Sequence, residues 1–264
     1  MKYLLSITFF LIWCVSVEAG LHTEVFEYKD GDTLLEGYLA YDDAMKEKRP
    51  GVLLVHEWWG INSYIKKRTE EVAKLGYIAF AIDMYGKGIR AKDAQKAAEL
   101  SGIFKTDCKL SGHCKLMRER ANAGLEILRK NGLADNKRIA AIGYCFGGTT
   151  VLELARSGAD IVGVVSFHGG LETPNPDDAR NISGKVLVLH GADDPFEPAK
   201  QIEAFQDEMR KAGVDWQMVF YGGAVHSFTN PEADNFGIKG VAYNERADRR
   251  SWDAMRLFFG EIFK

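Results

Sequence analysis

Along this chain the apolar positions switch repeatedly between uninterrupted or alternating runs and helical spacing, and each switch marks an element. Residues 22–28 and 33–41 read as strands around Asp30-Gly31-Asp32, a composition that predicts a hairpin turn. The run Gly51-Val52-Leu53-Leu54-Val55-His56 has no polar break until its end, the pattern of a strand covered on both faces. Residues 64–75 return to helical spacing and stop at Gly76, the residue type favoured just past a helix C-terminus. A strand over 77–82 is closed by Asp83, and two helices follow over 92–100 and 115–131. Residues 138–142 are apolar and β-branched like a buried strand, and 149–155 can form the helix after it. Strands over 161–167, 185–190 and 216–221 enclose a helix at 198–212, whose Ile202, Phe205 and Met209 share one face before Gly213 ends it. A last helix spans 243–263. Strands alternating with helices predict an α/β fold, a mostly parallel central sheet with helices on both faces. With no internal repeat, low-complexity tract or linker, residues 20–264 read as one domain.

Residues 1–19 stand outside that alternation. Met1-Lys2 gives a charged start, residues 3–13 an apolar core, and Val17-Glu18-Ala19 small residues before Gly20, which together predict a secretory signal peptide and a mature chain beginning at Gly20. An uncleaved anchor is the alternative, but the apolar run is shorter than the roughly 20 residues of a spanning helix. No later stretch is long enough to insert stably in a membrane, so the expected location is across the inner membrane, in the periplasm or outside the cell. Lys and Arg total 34 against 37 Asp and Glu, which leaves no basic field to draw nucleic acid. Composition names no protein partner, and a monomer is compatible with it. Of four cysteines, Cys14 leaves with the signal. Cys108 and Cys114 bracket a short segment and are expected to form a disulfide in an oxidising compartment. A zinc site on Cys108, His113 and Cys114 lacks a second ligand pair, so no metal is expected. Cys145 is then the odd thiol.

That thiol lies in Gly143-Tyr144-Cys145-Phe146-Gly147-Gly148, between the predicted strand and helix. Glycines around a strand-to-helix turn allow a strained, exposed pose for the residue between them, as in a nucleophile elbow. The helix start favours thiolate over thiol. A lone cysteine is by default a small buried hydrophobe, so its partners decide. Two later strands also end in reactive residues, one running into Asp193-Asp194-Pro195-Phe196 and the last into His226-Ser227-Phe228. Nucleophile, acid, histidine is the chain order of the α/β-hydrolase triad. His226 is the candidate base, and Asp194, ahead of Asp193, the acid that holds its tautomer. The oxyanion would meet the N–H of Phe146 and a second N–H from His56-Glu57-Trp58-Trp59-Gly60, most plausibly that of Trp58. Glu57 either accepts from the thiol, repels a thiolate or is a solvated loop charge, and Trp58 and Trp59 line a pocket or sit in the core. His56, His168 and His190 also close strands and are read as structural or pocket-lining.

These residues resemble the dienelactone hydrolase family, carboxymethylenebutenolidase-like α/β-hydrolases that open cyclic enol-lactones with a cysteine nucleophile. The likeness runs from about Leu34 to the C-terminus and is most specific at 56–60, Asp83-Met84-Tyr85, 143–148, Asp194-Pro195-Phe196 and His226-Ser227-Phe228. It implies a catalytic set of Cys145, Asp194 and His226, and a Glu57 that holds the resting thiol and swings away when substrate binds. It also implies a small ester or lactone as substrate and no cofactor. Family members that act on dienelactone hold its carboxylate with two arginines, and here those positions are Lys87 and Asn230. Lysine keeps the charge without the flat two-pronged donor, and asparagine keeps a neutral amide. Lys87, Asn230, Trp59 and Tyr85 are the candidate substrate contacts, with Arg90 near in sequence. A short-chain esterase, a thioesterase or a non-catalytic small-ligand binding protein on the same scaffold are the alternatives.

Overall fold

The computed structural model describes residues 20–264, so the expected signal segment and Cys14 lie outside the described residues. Eight strands form one sheet: β1 (Leu21–Asp30), β2 (Thr33–Asp42), β3 (Arg49–Val55), β4 (Ile78–Ile82), β5 (Ala134–Tyr144), β6 (Gly163–Phe167), β7 (Lys185–Gly191) and β8 (Trp216–Tyr221). Their spatial order is β1-β2-β4-β3-β5-β6-β7-β8. β1 and β2 pair antiparallel with register Asp30↔Thr33 beside the turn, as the hairpin signal requires, and β2 meets β4 antiparallel. All pairings from β4 to β8 are parallel.

Among the described residues six helices cover the sheet: α1 (Ser63–Lys74), α2 (Ala94–Ser111), α3 (Lys115–Lys130), α4 (Phe146–Arg156), α5 (Ala199–Ala212) and α6 (Glu245–Ile262). Because side chains alternate along a strand, the unbroken apolar run of β3 divides between two cores. Leu53 and Val55 join Phe104 of α2, Leu125 of α3, Leu154 of α4 and Phe205 of α5 on one face. Val52 and Leu54 join Ile65 and Val72 of α1 and Met255 and Phe259 of α6 on the other. All seven residues of β3 are buried, as a doubly covered strand demands.

Three elements run longer than their local pattern predicts. α2 continues past Leu100 and Gly102 to Ser111, because Phe104 on its inner face packs against Tyr85 and Phe146. Tertiary burial there outweighs the weak helix preference of Ser101-Gly102. Cys108 is therefore in the last turn of α2, and its sulfur is bonded to that of Cys114, the residue preceding α3. β5 starts at Ala134, where it pairs with Arg49, and a register shift follows before Gly51 meets Ile139. α4 starts at Phe146, directly after Cys145.

Candidate active site

β5 delivers Cys145 to a turn that only small neighbours permit. The cysteine adopts φ 55° and ψ −116°, a conformation non-glycine residues rarely hold. A Cβ on Gly143 would stand 2.0 Å from the carbonyl oxygen of Gly147, and one on Gly147 would stand 2.2 Å from that of Val55. Strand, elbow and helix can thus close on one another only with glycine at both positions. The elbow is pinned by the Cys145 N–H donating to the Phe167 carbonyl at 3.0 Å. Cys145 is partly exposed and is the free cysteine among the described residues.

β7 and β8 bring the partners to the same end of the sheet. Cys145 Sγ lies 3.0 Å from His226 Nε2, and His226 Nδ1 lies 2.8 Å from Asp194 Oδ2. Asp194 is buried, and its Oδ1 accepts the Phe196 N–H at 2.9 Å. Asp193 is spent elsewhere, accepting the Gly223 N–H. Burial disfavours a charged His226 ring, but the Cys145 sulfur and the Asp194 carboxylate outweigh it and hold the imidazole pKa well above its ordinary value. The segment carrying His226 is fixed from outside the sheet: its N–H donates to Gly240 and its carbonyl accepts from Ala242. Ser227 follows with φ 56°, a strained turn in its own right.

Phe146 opens α4, so its N–H has no acceptor within the helix and stands next to the sulfur in sequence. Its ring packs among Tyr85 and Phe104. Tyr85 donates its hydroxyl to the Trp58 carbonyl at 2.9 Å, which orients the turn after β3. Trp58 and Trp59 meet edge to face, and Trp59 leans on Phe236 with ring centroids 4.7 Å apart. Both tryptophans are only partly buried, and Trp58 packs against the hydrophobic core.

Glu57 departs from two of its sequence-based expectations. It is 2% exposed, so it is no solvated loop charge, and its oxygens accept from Ser227 Oγ at 2.9 Å and Asn230 Nδ2 at 2.6 Å rather than from the thiol. Burial raises its pKa, while Asn230, Ser227 and the His226 charge pull it back. Asn230 is correspondingly buried, its Oδ1 accepting the Glu232 N–H, so it faces Glu57 and not an open pocket. Lys87 is exposed and pairs with Glu27 at 2.6 Å. Arg90 donates to the Ile61 carbonyl at 2.6 Å and to Glu36 at 3.3 Å. The two positions expected to grip a carboxylate, and the arginine beside them, therefore have other partners.

The other histidines serve the framework. His56 is fully buried between the Glu57 carbonyl and the Met84 N–H, and burial pushes its pKa down to about 4. His168, also fully buried, bonds Thr229 Oγ1 at 2.7 Å, and Thr229 in turn meets the Tyr64 hydroxyl at 2.7 Å. Burial holds His168 well below its ordinary pKa, a neutral ring packed 5.4 Å from that of His226. Phe196, quoted from the sequence as part of Asp194-Pro195-Phe196, had no role assigned to it there, and Phe236 was not named. Phe196 is 47% exposed with its ring 5.2 Å from that of His226. Its place two residues after Asp194 was the available signal; Phe236, on a short turn at Ala233–Phe236, had none. Among the described residues no cluster of His, Cys, Asp and Glu could hold a metal ion.

A mostly parallel sheet with a glycine-bounded elbow after a central strand, and an Asp and His at later strand ends, defines an α/β-hydrolase. The sequence profile of the dienelactone hydrolase family matches residues 35–263, and the chain belongs to that family. A protein of Caenorhabditis elegans is 35% identical over 150 residues, 56% of this chain and 94% of that one. A protein of Aquifex aeolicus named as a candidate carboxymethylenebutenolidase is 24% identical over 245 residues, covering 91% of this chain and 99% of its own. Among solved structures, a dienelactone hydrolase-like promiscuous phosphotriesterase from metagenomic libraries superposes with a TM-score of 0.86 at 41% identity, covering 92% of this chain and 99% of that one.

Proposed function

We propose that this hydrolase cleaves small carboxylic esters or lactones through a thiol acyl-enzyme, with Cys145 as nucleophile, His226 as base and acid, and Asp194 as the residue that orients the imidazole. The single observation that supports it most is the continuous line from Sγ to Nε2 at 3.0 Å and from Nδ1 to Oδ2 at 2.8 Å. The thiol gives its proton to His226 Nε2 as the sulfur attacks the carbonyl carbon, and the displaced electron pair comes to rest on oxygen, facing the N–H groups of Phe146 and Trp58. Collapse expels the alcohol or ring oxygen, which takes the proton from His226 Nε2. Water then gives a proton to the same nitrogen and attacks the thioester, and the sulfur leaves with the acid released. No step calls on a cofactor.

Trp58, Trp59 and Phe236, in successive contact, and Phe196 beside His226 suit an apolar, uncharged substrate. Neither Lys87 nor Asn230 is free to grip a carboxylate, since one pairs with Glu27 and the other with Glu57. The reading also includes export: a signal peptide over residues 1–19 and one catalytic domain over 20–264, to which the bonded Cys108 and Cys114 lend support. Cys145→Ala is expected to abolish turnover across a panel of lactones, aryl esters and thioesters. Activity near the parent level in that variant would reject the mechanism. A parent enzyme indifferent to ring strain across the panel would favour an esterase or thioesterase over a lactonase.

A further inference from the structure

Two imidazoles are packed against each other at this site, and they have opposite partners. The rings of His226 and His168 have centroids 5.4 Å apart. His226 Nδ1 meets the Asp194 carboxylate, an acceptor that favours a proton on that nitrogen and a charge on the ring. His168 Nε2 meets the Thr229 hydroxyl instead, at 2.7 Å. A hydroxyl can give or take a hydrogen bond, so the groups behind it decide which it does here.

Thr229 Oγ1 lies 2.7 Å from the Tyr64 hydroxyl, and that hydroxyl accepts from Arg68 Nε at 3.4 Å. A guanidinium only donates, so the phenol proton must go onward, and Thr229 Oγ1 is its one acceptor among the described residues. Thr229 is fully buried, and with the Tyr64 hydroxyl already donating to it, its own proton has His168 Nε2 as acceptor. Every hydrogen bond in the line therefore points one way, from Arg68 through Tyr64 and Thr229 to His168. Arg68 is fixed at its head by ion pairs with Glu71 and Asp248 and by donating to the Thr229 carbonyl at 2.7 Å.

His168 Nε2 is thus occupied as an acceptor, and the single proton of the ring belongs on Nδ1, which has no partner among the described residues. A second proton would have to break the line at Nε2 and would find no acceptor at Nδ1. The groups facing the ring are His226 and Phe228 from the histidine segment, Tyr144 from the end of β5, His190 from the end of β7 and Arg68 from α1. Among the described residues no carboxylate bonds either nitrogen. Burial first, and the His226 charge after it, push the His168 pKa down in the same sense.

We propose that Arg68, Tyr64 and Thr229 are positioning residues that hold His168 as a neutral hydrogen-bond acceptor, so that the proton leaving Cys145 goes to His226 alone. In that transfer the S–H bond breaks, an N–H bond forms at His226 Nε2, and the electron pair stays on sulfur. A cation on His168 would oppose the charge that His226 must carry during acylation. This rests on the reading of His226 as the base.

The test is a pH titration of the histidine ring nitrogens by proton–nitrogen NMR on the full enzyme without substrate, run beside the pH profile of kcat/KM. His168 is expected as the Nδ1–H tautomer, neutral wherever His226 titrates, and the acid limb is expected to fall about tenfold per pH unit, as for one proton. Thr229→Val keeps the branched shape and removes the donor. It is expected to lose the tautomer preference and to steepen the limb toward about a hundredfold per pH unit, as His168 takes a proton of its own. Adding His168→Phe, a ring that cannot be protonated, should return the limb to about tenfold, which a loss of packing alone would not allow. Should Thr229→Val fail to fold, Tyr64→Phe breaks the line one step earlier and is expected to move tautomer and limb in the same direction. An Nε2–H tautomer of His168 in the parent, or a folded Thr229→Val variant whose limb stays that of one proton, would overturn the proposal. A parent with the expected tautomer but no turnover on any ester would instead reject the hydrolase reading and uphold this one.

Discussion

At the scale of single residues, the site depends on atoms that are absent. Cys145 holds a strained φ of 55°, and the cost of such a conformation, of order 1–3 kcal/mol, persists only where surrounding structure enforces it. Gly143 is part of that enforcement, because its missing Cβ would lie 2.0 Å from Gly147 O and 2.8 Å from Gly148 N, both backbone atoms that no rotamer change can move. Gly143→Ala is therefore expected to destabilise the fold by roughly 3 kcal/mol or more, read as a lower denaturant midpoint. Gly222→Ala, where nothing lies within 4 Å of the added methyl, is the matched control and should leave the midpoint nearly unchanged. Equal midpoints for the two variants would show that the elbow is not closed by backbone contact. The glycines, the cysteine and the histidine were legible because the turn chemistry constrains their types. Glu57 and Asn230 were legible as positions but not as a pair: they are 173 residues apart, and nothing local says that one carboxylate will spend both oxygens on the histidine segment.

At the scale of elements, the junction of α2 and α3 shows how a local signal can be right in outcome and wrong in detail. Cys108 and Cys114 are bonded as their spacing predicts, yet the segment between them is mostly helix, and only the last few residues turn. Cys114 precedes α3 with φ 46° and no side-chain cap, a weak helix start that the bond to the end of α2 secures. Closing so short a loop, six residues in sequence separation, restricts the unfolded chain by roughly 2 kcal/mol. Replacing both cysteines by alanine is expected to lower stability by about that amount, with Cys145 still alkylated at its parent rate. The same bond gives the export reading its test. Intact mass of the protein recovered from the cell exterior or periplasm should place the N-terminus at Gly20. It should show one alkylated thiol before reduction and three after, in keeping with one free and two bonded cysteines. Three alkylated thiols before reduction would count against both bond and compartment.

At the scale of the whole molecule, three strand ends of one mostly parallel sheet bring Cys145, Asp194 and His226 together, and the helices that bury both faces hold those ends together. This much follows from periodicity and chain order, because a doubly covered strand and a reactive loop after it leave marks within a few residues of one another. The Trp59–Phe236 contact does not follow, since the two rings meet only once the chain has folded. Nor does the state of Glu197, which the fold encloses between the loop after β7 and the Leu171 N–H, 3.3 Å away. Burial raises its pKa from 4.5 to about 7. Between those values the folded protein keeps a proton that the unfolded chain gives up, so the stability tied to this group is full below the unfolded value and is lost as pH rises through about 7. The difference corresponds to roughly 3 kcal/mol lost above that range. Glu197→Gln stays neutral at every pH and keeps an oxygen for the Leu171 N–H. It should therefore raise the denaturation midpoint at about pH 8 and raise it much less at about pH 5, where the parent side chain is already protonated in the fold. An equal shift at the two pH values would mean that this carboxyl titrates normally and that the enclosure around it admits water.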